Sequence, residues 1–88
     1  MPIQVRKPSE EELKSLGVFT WPTWQCDVSE FDWTYDDRET CYLLEGQVTV
    51  ETEGKSVSFG KGDFVIFPQG LKCVWKVTAP VRKHYRIP

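Results

Sequence analysis

Eighty-eight residues, 40% hydrophobic and 27% charged, suit one folded domain with one core and exclude a disordered or collagen-like chain. Eleven basic against thirteen acidic residues leave a formal charge of −2, too weak a field to draw nucleic acid. No apolar run nears the ~20 residues of a membrane-spanning helix and no secretory signal opens the chain, so a cytoplasmic protein with no membrane partner is expected.

A short helix is predicted first. Ser9 is placed to cap it, Glu12 three positions on completes a capping box, and Glu10, Glu11 and Glu12 crowd the turn where the helix dipole favours negative charge. Leu13 and Leu16 supply one apolar stripe, and Gly17 is placed to end the helix. Two turns are too few to stand alone, so this helix must lie against something larger. From Val18 to Tyr35 the chain reads as an extended arm carrying Trp21, Trp24, Phe31 and Trp33, with a strand near Phe31–Tyr35. Asp36-Asp37-Arg38 is a turn.

Six short strands follow: Glu39–Leu44, Gln47–Thr52, Lys55–Phe59, Phe64–Phe67, Leu71–Thr78 and Val81–Ile87. Glu45-Gly46, Glu53-Gly54, Gly60-Lys61-Gly62-Asp63, Pro68-Gln69-Gly70 and Ala79-Pro80 separate them as turns. Short strands with Gly and Pro punctuation predict an antiparallel sandwich or barrel, and no helix is long enough to cross between parallel strands. A single domain over 1–88 is expected, with helix and arm over 1–30 and the barrel over 31–88.

Alternation assigns faces. Leu71, Cys73, Trp75 and Val77 share an inward face; so do Val81, Lys83, Tyr85 and Ile87, with Arg82, His84 and Arg86 turned the other way. For Glu39, Cys41 and Leu43 against Thr40, Tyr42 and Leu44, composition leaves the inward side open. Cys26, Cys41 and Cys73 are odd in number and far apart, with no C-x-x-C pair, so three reduced thiols are expected.

Two stretches look more specific. Glu39 is followed after six residues by Gly46, and Gly62, Pro68 and Gly70 keep the spacing G-x5-P-x-G after a short strand–turn–strand. In that order they resemble the two motifs of the cupins. The strings WTYDDRETCYLLEG, GDFVIFPQG, CVWKV and PVRKHY resemble, more narrowly, the small cupins grouped with the (S)-ureidoglycine aminohydrolase-type domain. The resemblance implies an all-β fold, a compact cupin (RmlC-like) jelly-roll barrel with one short N-terminal helix. It also implies a homodimer joined through sheet edges.

Metal-dependent cupins use three His and one Glu, and here the pattern departs. The H-x-H positions fall on Trp33 and Tyr35, or on Asp32 and Thr34. Cys73 stands at the third His, Val77 at the Asn, and the single His84 lies in neither motif. Only Glu39 remains, so no metal or other cofactor is expected; if a metal binds, the donors are Glu39, Cys41 and Cys73. Glu39 inside a barrel needs a partner, and inward-facing Lys83 is expected to share the cavity with it, paired directly or across a ligand. Trp33, Tyr35, Glu39, Cys73, Trp75 and Lys83 are therefore expected to bind a small polar organic molecule, with no catalytic residue assigned. Two other readings stand beside it: a metalloenzyme with a non-standard Glu/Cys site, and a ligand-free dimerising scaffold. Cys73 as a nucleophile would need His84 as base, and alternation turns His84 away.

Overall fold

The computed structural model describes residues 2–88. In chain order it contains β1 (Gln4–Arg6), α1 (Glu10–Leu16), a 3-10 turn (Val18–Thr20), β2 (Thr23–Cys26), β3 (Ser29–Thr34), β4 (Glu39–Thr52), β5 (Lys55–Gly60), β6 (Phe64–Phe67) and β7 (Lys72–Arg86). All pairings are antiparallel, in the order β1-β6-β4-β7-β2, with β3 added to β7 and β5 to β4. This is the architecture of a cupin jelly roll.

Two long strands organise it. The first part of β4 pairs with β6 and its last part with β5; the first part of β7 pairs with β3 and its last part with β2. β4 and β7 also pair with each other along most of their length. Each long strand thus passes from one layer to the other, and the sheet folds over around a shared core. The expected turns at Glu45-Gly46 and Ala79-Pro80 are not turns. They are irregularities within β4 and β7, where the register between the strands shifts between Leu43 and Val48.

The bulge also changes which side chains face inward. Glu39, Cys41 and Leu43 are buried, and past the shift Val48 and Val50 are. Gly46 sits at the crossing with φ +106°, and a Cβ there would lie 2.5 Å from the Pro80 carbonyl oxygen and 2.8 Å from Val81 Cα. Only glycine lets the two backbones approach this closely.

The helix is capped at its start by Ser9, whose hydroxyl accepts from the Glu12 amide at 3.1 Å. The capping box is half made: the Glu12 carboxylate turns outward to Arg6, at 2.6 Å, rather than back to the cap. Gly17 ends the helix, its amide donating to the Leu13 and Lys14 carbonyls. Of the expected apolar stripe only Leu13 is buried, while Leu16 is 42% exposed, because a helix this short touches the sheet through a single turn. Leu13, Val18 and Phe64 form a small outer core, flanked by Trp21, Tyr42 and Ile66. The extended arm expected after α1 supplies a short edge strand, β2, and a further edge strand, β1, lies before the helix where none was expected; at four and three residues both are too short for an alternation test.

His84 lies on the outer face of β7, as alternation requires, but it is half-buried rather than freely solvated. Its Nδ1 is 2.9 Å from the Trp21 carbonyl oxygen, and the Phe19 ring meets it edge-on at 5.9 Å.

Replacing Gly46 by Ala should destabilise the fold by about 2 kcal/mol or more, since backbone must shift as well as strain. Gly54→Ala, in open space at the β4–β5 turn, should cost about 1 kcal/mol, from the left-handed backbone alone. Denaturant midpoints of the two variants compare them directly, and equal losses would mean that the strand crossing is looser than it looks.

Candidate functional site

One cavity of about 270 Å³ opens between β2, β3 and the inward face of β7. Its floor is polar: Lys83 Nζ donates to Glu39 Oε2 at 2.7 Å, with the two residues only 5% and 6% exposed. Lys83 stands beside Leu43 and Trp24 in the ladders. Its stem runs back towards Glu39, which begins β4 opposite Phe67.

The walls are aromatic. The Lys83 ammonium lies 4.7 Å from the Trp75 ring centroid, 5.0 Å from Trp24 and 6.0 Å from Phe67. Such faces carry negative quadrupole charge and favour a cation. Trp75 donates its indole N–H to the Tyr35 hydroxyl at 3.0 Å, and Tyr35 stacks on Phe67 with centroids 4.6 Å apart. Phe31, directly across from Trp75 in the ladder, lies parallel to it at 6.0 Å. Trp33, 50% exposed, and Ile87, 52% exposed, form the rim. Burial first, and the Glu39 carboxylate second, push the Tyr35 phenol up, so it stays protonated as a neutral donor and acceptor.

Five of the six residues expected to bind a ligand, Trp33, Tyr35, Glu39, Trp75 and Lys83, line this one cavity. Cys73 does not. It sits opposite Trp33 in the β3–β7 ladder, and its thiol turns to the Trp33 carbonyl at 3.6 Å. Four lining residues were not anticipated: Trp24, Phe31, Tyr85 and Ile87. Alternation had already put Tyr85 and Ile87 on the Lys83 face, so the signal for those two was present. Trp24 and Phe31 come from strands too short or too polar to reveal a face.

The donors do not fit a cupin metal. Among the described residues no three His, Cys, Asp or Glu side chains are grouped to hold an ion. Glu39 is engaged by an ammonium rather than left open to a cation. Burial pushes the Cys41 thiol up to about 12, only partly opposed by Lys83, and burial also raises Cys73. Neither favours the thiolate that metals and catalysis require. All three cysteines are free.

Residues 13–85 match the family model described as EutQ-like cupin domain. Among solved structures, a DUF861 family protein from Thermotoga maritima is 56% identical over 99% of this chain and 100% of its own, with a TM-score of 0.97. A putative ethanolamine utilization protein Q from Salmonella typhimurium is 30% identical, covering 72% of this chain and 51% of its own, with a TM-score of 0.66. The chain is 32% identical over 47 residues to the acetate kinase EutQ of Clostridioides difficile, a stretch that is 53% of this chain but only 30% of that protein. With the match to the family model spanning most of the chain, this protein belongs to the EutQ-like cupin domain family.

Proposed function

We propose that this domain binds a small polar organic molecule in the aromatic cavity, with Glu39 and Lys83 as its polar floor and no metal taking part. The observation that supports this is an ion pair, almost fully buried, that forms part of the wall of an open cavity rather than being sealed in the core. Pure core aromatics would fill this space; here Trp24 and Trp33 are 37% and 50% exposed beside it. Apolar walls around a few placed polar groups are the usual make-up of a small-molecule site. The acetate kinase activity named for the Clostridioides difficile relative is not carried over, because the shared stretch is under a third of that protein. Nor is ureide hydrolysis, despite the likeness to (S)-ureidoglycine aminohydrolase-type cupins, since the imidazoles of a metal site are missing. Three free cysteines suit a reducing, cytoplasmic setting.

Screening a small-fragment library by amide NMR tests the reading: shifts should cluster at Tyr35, Glu39, Trp75 and Lys83. A library that moves no cavity residue would favour the scaffold reading instead.

A structural and a ligand-binding role for the ion pair separate in a variant cycle. Glu39→Gln leaves a buried, unpaired ammonium and should cost about 3 kcal/mol or more of stability. The double variant Glu39→Leu/Lys83→Met should recover most of that loss, because apolar replacements of similar size often match a buried pair. Fragment binding should not recover. Restored binding in the double variant would make the pair a purely structural device.

Burial moves the Cys41 thiol from an ordinary 9.0 up to about 12. As pH rises through 9 the unfolded chain loses this proton while the folded chain keeps it, so stability is full below pH 9 and falls towards pH 12. Tyr35, also raised, adds a loss of the same sign at higher pH. Thermal midpoints measured from pH 7 to 11 should therefore decline, and Cys41→Val should flatten the first part of that decline.

The domain is also proposed to dimerise. Val28 is 62% exposed, Trp33 50% and Ile87 52%, and β1 and β5 leave free sheet edges. Light scattering on the eluting protein should give twice the 10.2 kDa chain mass. A monomer at high micromolar concentration would remove the dimer.

A further inference from the structure

The ion pair on the cavity floor is neutral as a unit, and this limits the charge of whatever binds beside it. Two of the ring faces that suit a cation are already occupied: Trp75 and Trp24 hold the Lys83 ammonium at 4.7 and 5.0 Å. A cationic ligand would meet that ammonium as a like charge in a mostly apolar wall. An anionic ligand would meet the Glu39 carboxylate in the same way. Either repulsion is strengthened at the floor, where Glu39 and Lys83 are buried.

The pair still offers hydrogen bonds. Glu39 uses Oε2 for Lys83, and among the described residues no hydrogen bond engages its Oε1. Among the described residues no buried side-chain oxygen or nitrogen lacks a partner, so Oε1 is open to the cavity that Glu39 lines. The ammonium carries three donors, of which the carboxylate takes one. A charged donor and a charged acceptor therefore stand side by side in a cavity lined by aromatic rings.

Resting on the reading of this cavity as a binding site, we propose that its ligand is a neutral, flat ring bearing a carbonyl next to an N–H, the lactam edge of a pyridone or pyrimidinone. The carbonyl accepts from Lys83 Nζ, the ring N–H donates to Glu39 Oε1, and the ring plane lies against the aromatic walls. Such an edge satisfies both halves of the pair without separating them and adds no net charge. Aromatic stacking supplies the remaining contact.

Four probes of similar size test this on the wild-type protein by calorimetry: 2-pyridone, N-methyl-2-pyridone, benzoate and benzylamine. 2-Pyridone should bind most tightly. N-methylation, which blocks the bond to a charged acceptor, should weaken binding ~10-fold or more. Benzoate and benzylamine should bind more weakly than 2-pyridone. Tightest binding by either charged probe would overturn the lactam assignment while leaving the cavity as a site for small molecules. Equal binding of 2-pyridone and its N-methyl form would overturn the contact with Glu39, and the assignment with it. Absence of binding by all four at millimolar concentration, together with no shift at the cavity from the wider fragment library, would overturn both the lactam and the binding reading.

Discussion

Burying a lysine and a glutamate in a small barrel is costly, and the architecture around them is arranged to meet that cost. An isolated charge in an apolar interior loses far more hydration energy than one contact returns. Here the carboxylate and ammonium meet at 2.7 Å, and the ammonium also faces two indole rings at 4.7 and 5.0 Å. Trp75 is held in turn by its hydrogen bond to Tyr35, which stacks on Phe67, and Trp24 packs edge-on against Trp75. Remove the charges and the aromatic cluster has no polar end to surround; remove the aromatics and the pair stands in water, where it contributes little.

The same arrangement accounts for how this domain differs from metal-binding cupins. A metal site there needs several neutral imidazoles and one carboxylate converging on a cation. In this chain the carboxylate remains and the positive charge is covalently attached, carried by β7. Lys83 meets the electrostatic need of Glu39, but an ammonium has no open coordination position and no Lewis acidity of the kind a metal ion offers. In the contact seen here it donates a hydrogen bond to Glu39 and holds charge. The thiols of Cys41 and Cys73 are both raised by burial, which disfavours the thiolate form.

Much of the fold was readable from local pattern. The short helix with Ser9 and Gly17 at its ends, the strands from Lys55 to Phe67, and the inward set Cys73, Trp75, Val77, Val81 and Lys83 all follow from capping chemistry and period-two alternation. The motif spacing added the cupin fold, while the EutQ-like family came from the match over residues 13–85. What pattern misread was continuity. Gly46 and Pro80 look like turn residues, yet they mark places where two strands cross and bend without ending. A glycine demanded by close approach and one demanded by a turn look alike in sequence, since both express the absence of a Cβ.

The sequence by itself determined the helix and its caps, the strands from Lys55 to Phe67, the face on which Lys83 lies and the loss of the imidazole donors, because each depends on residue type and on local spacing. Only the tertiary structure decided that Glu39 and Lys83 touch, that Trp24 and Phe31 complete the cup, that Cys73 turns away to a backbone carbonyl, and that His84 is covered by the arm. Those facts join residues about forty to sixty positions apart. They depend on where β4 and β7 bend over one another, and no local periodicity records the phase of that bend.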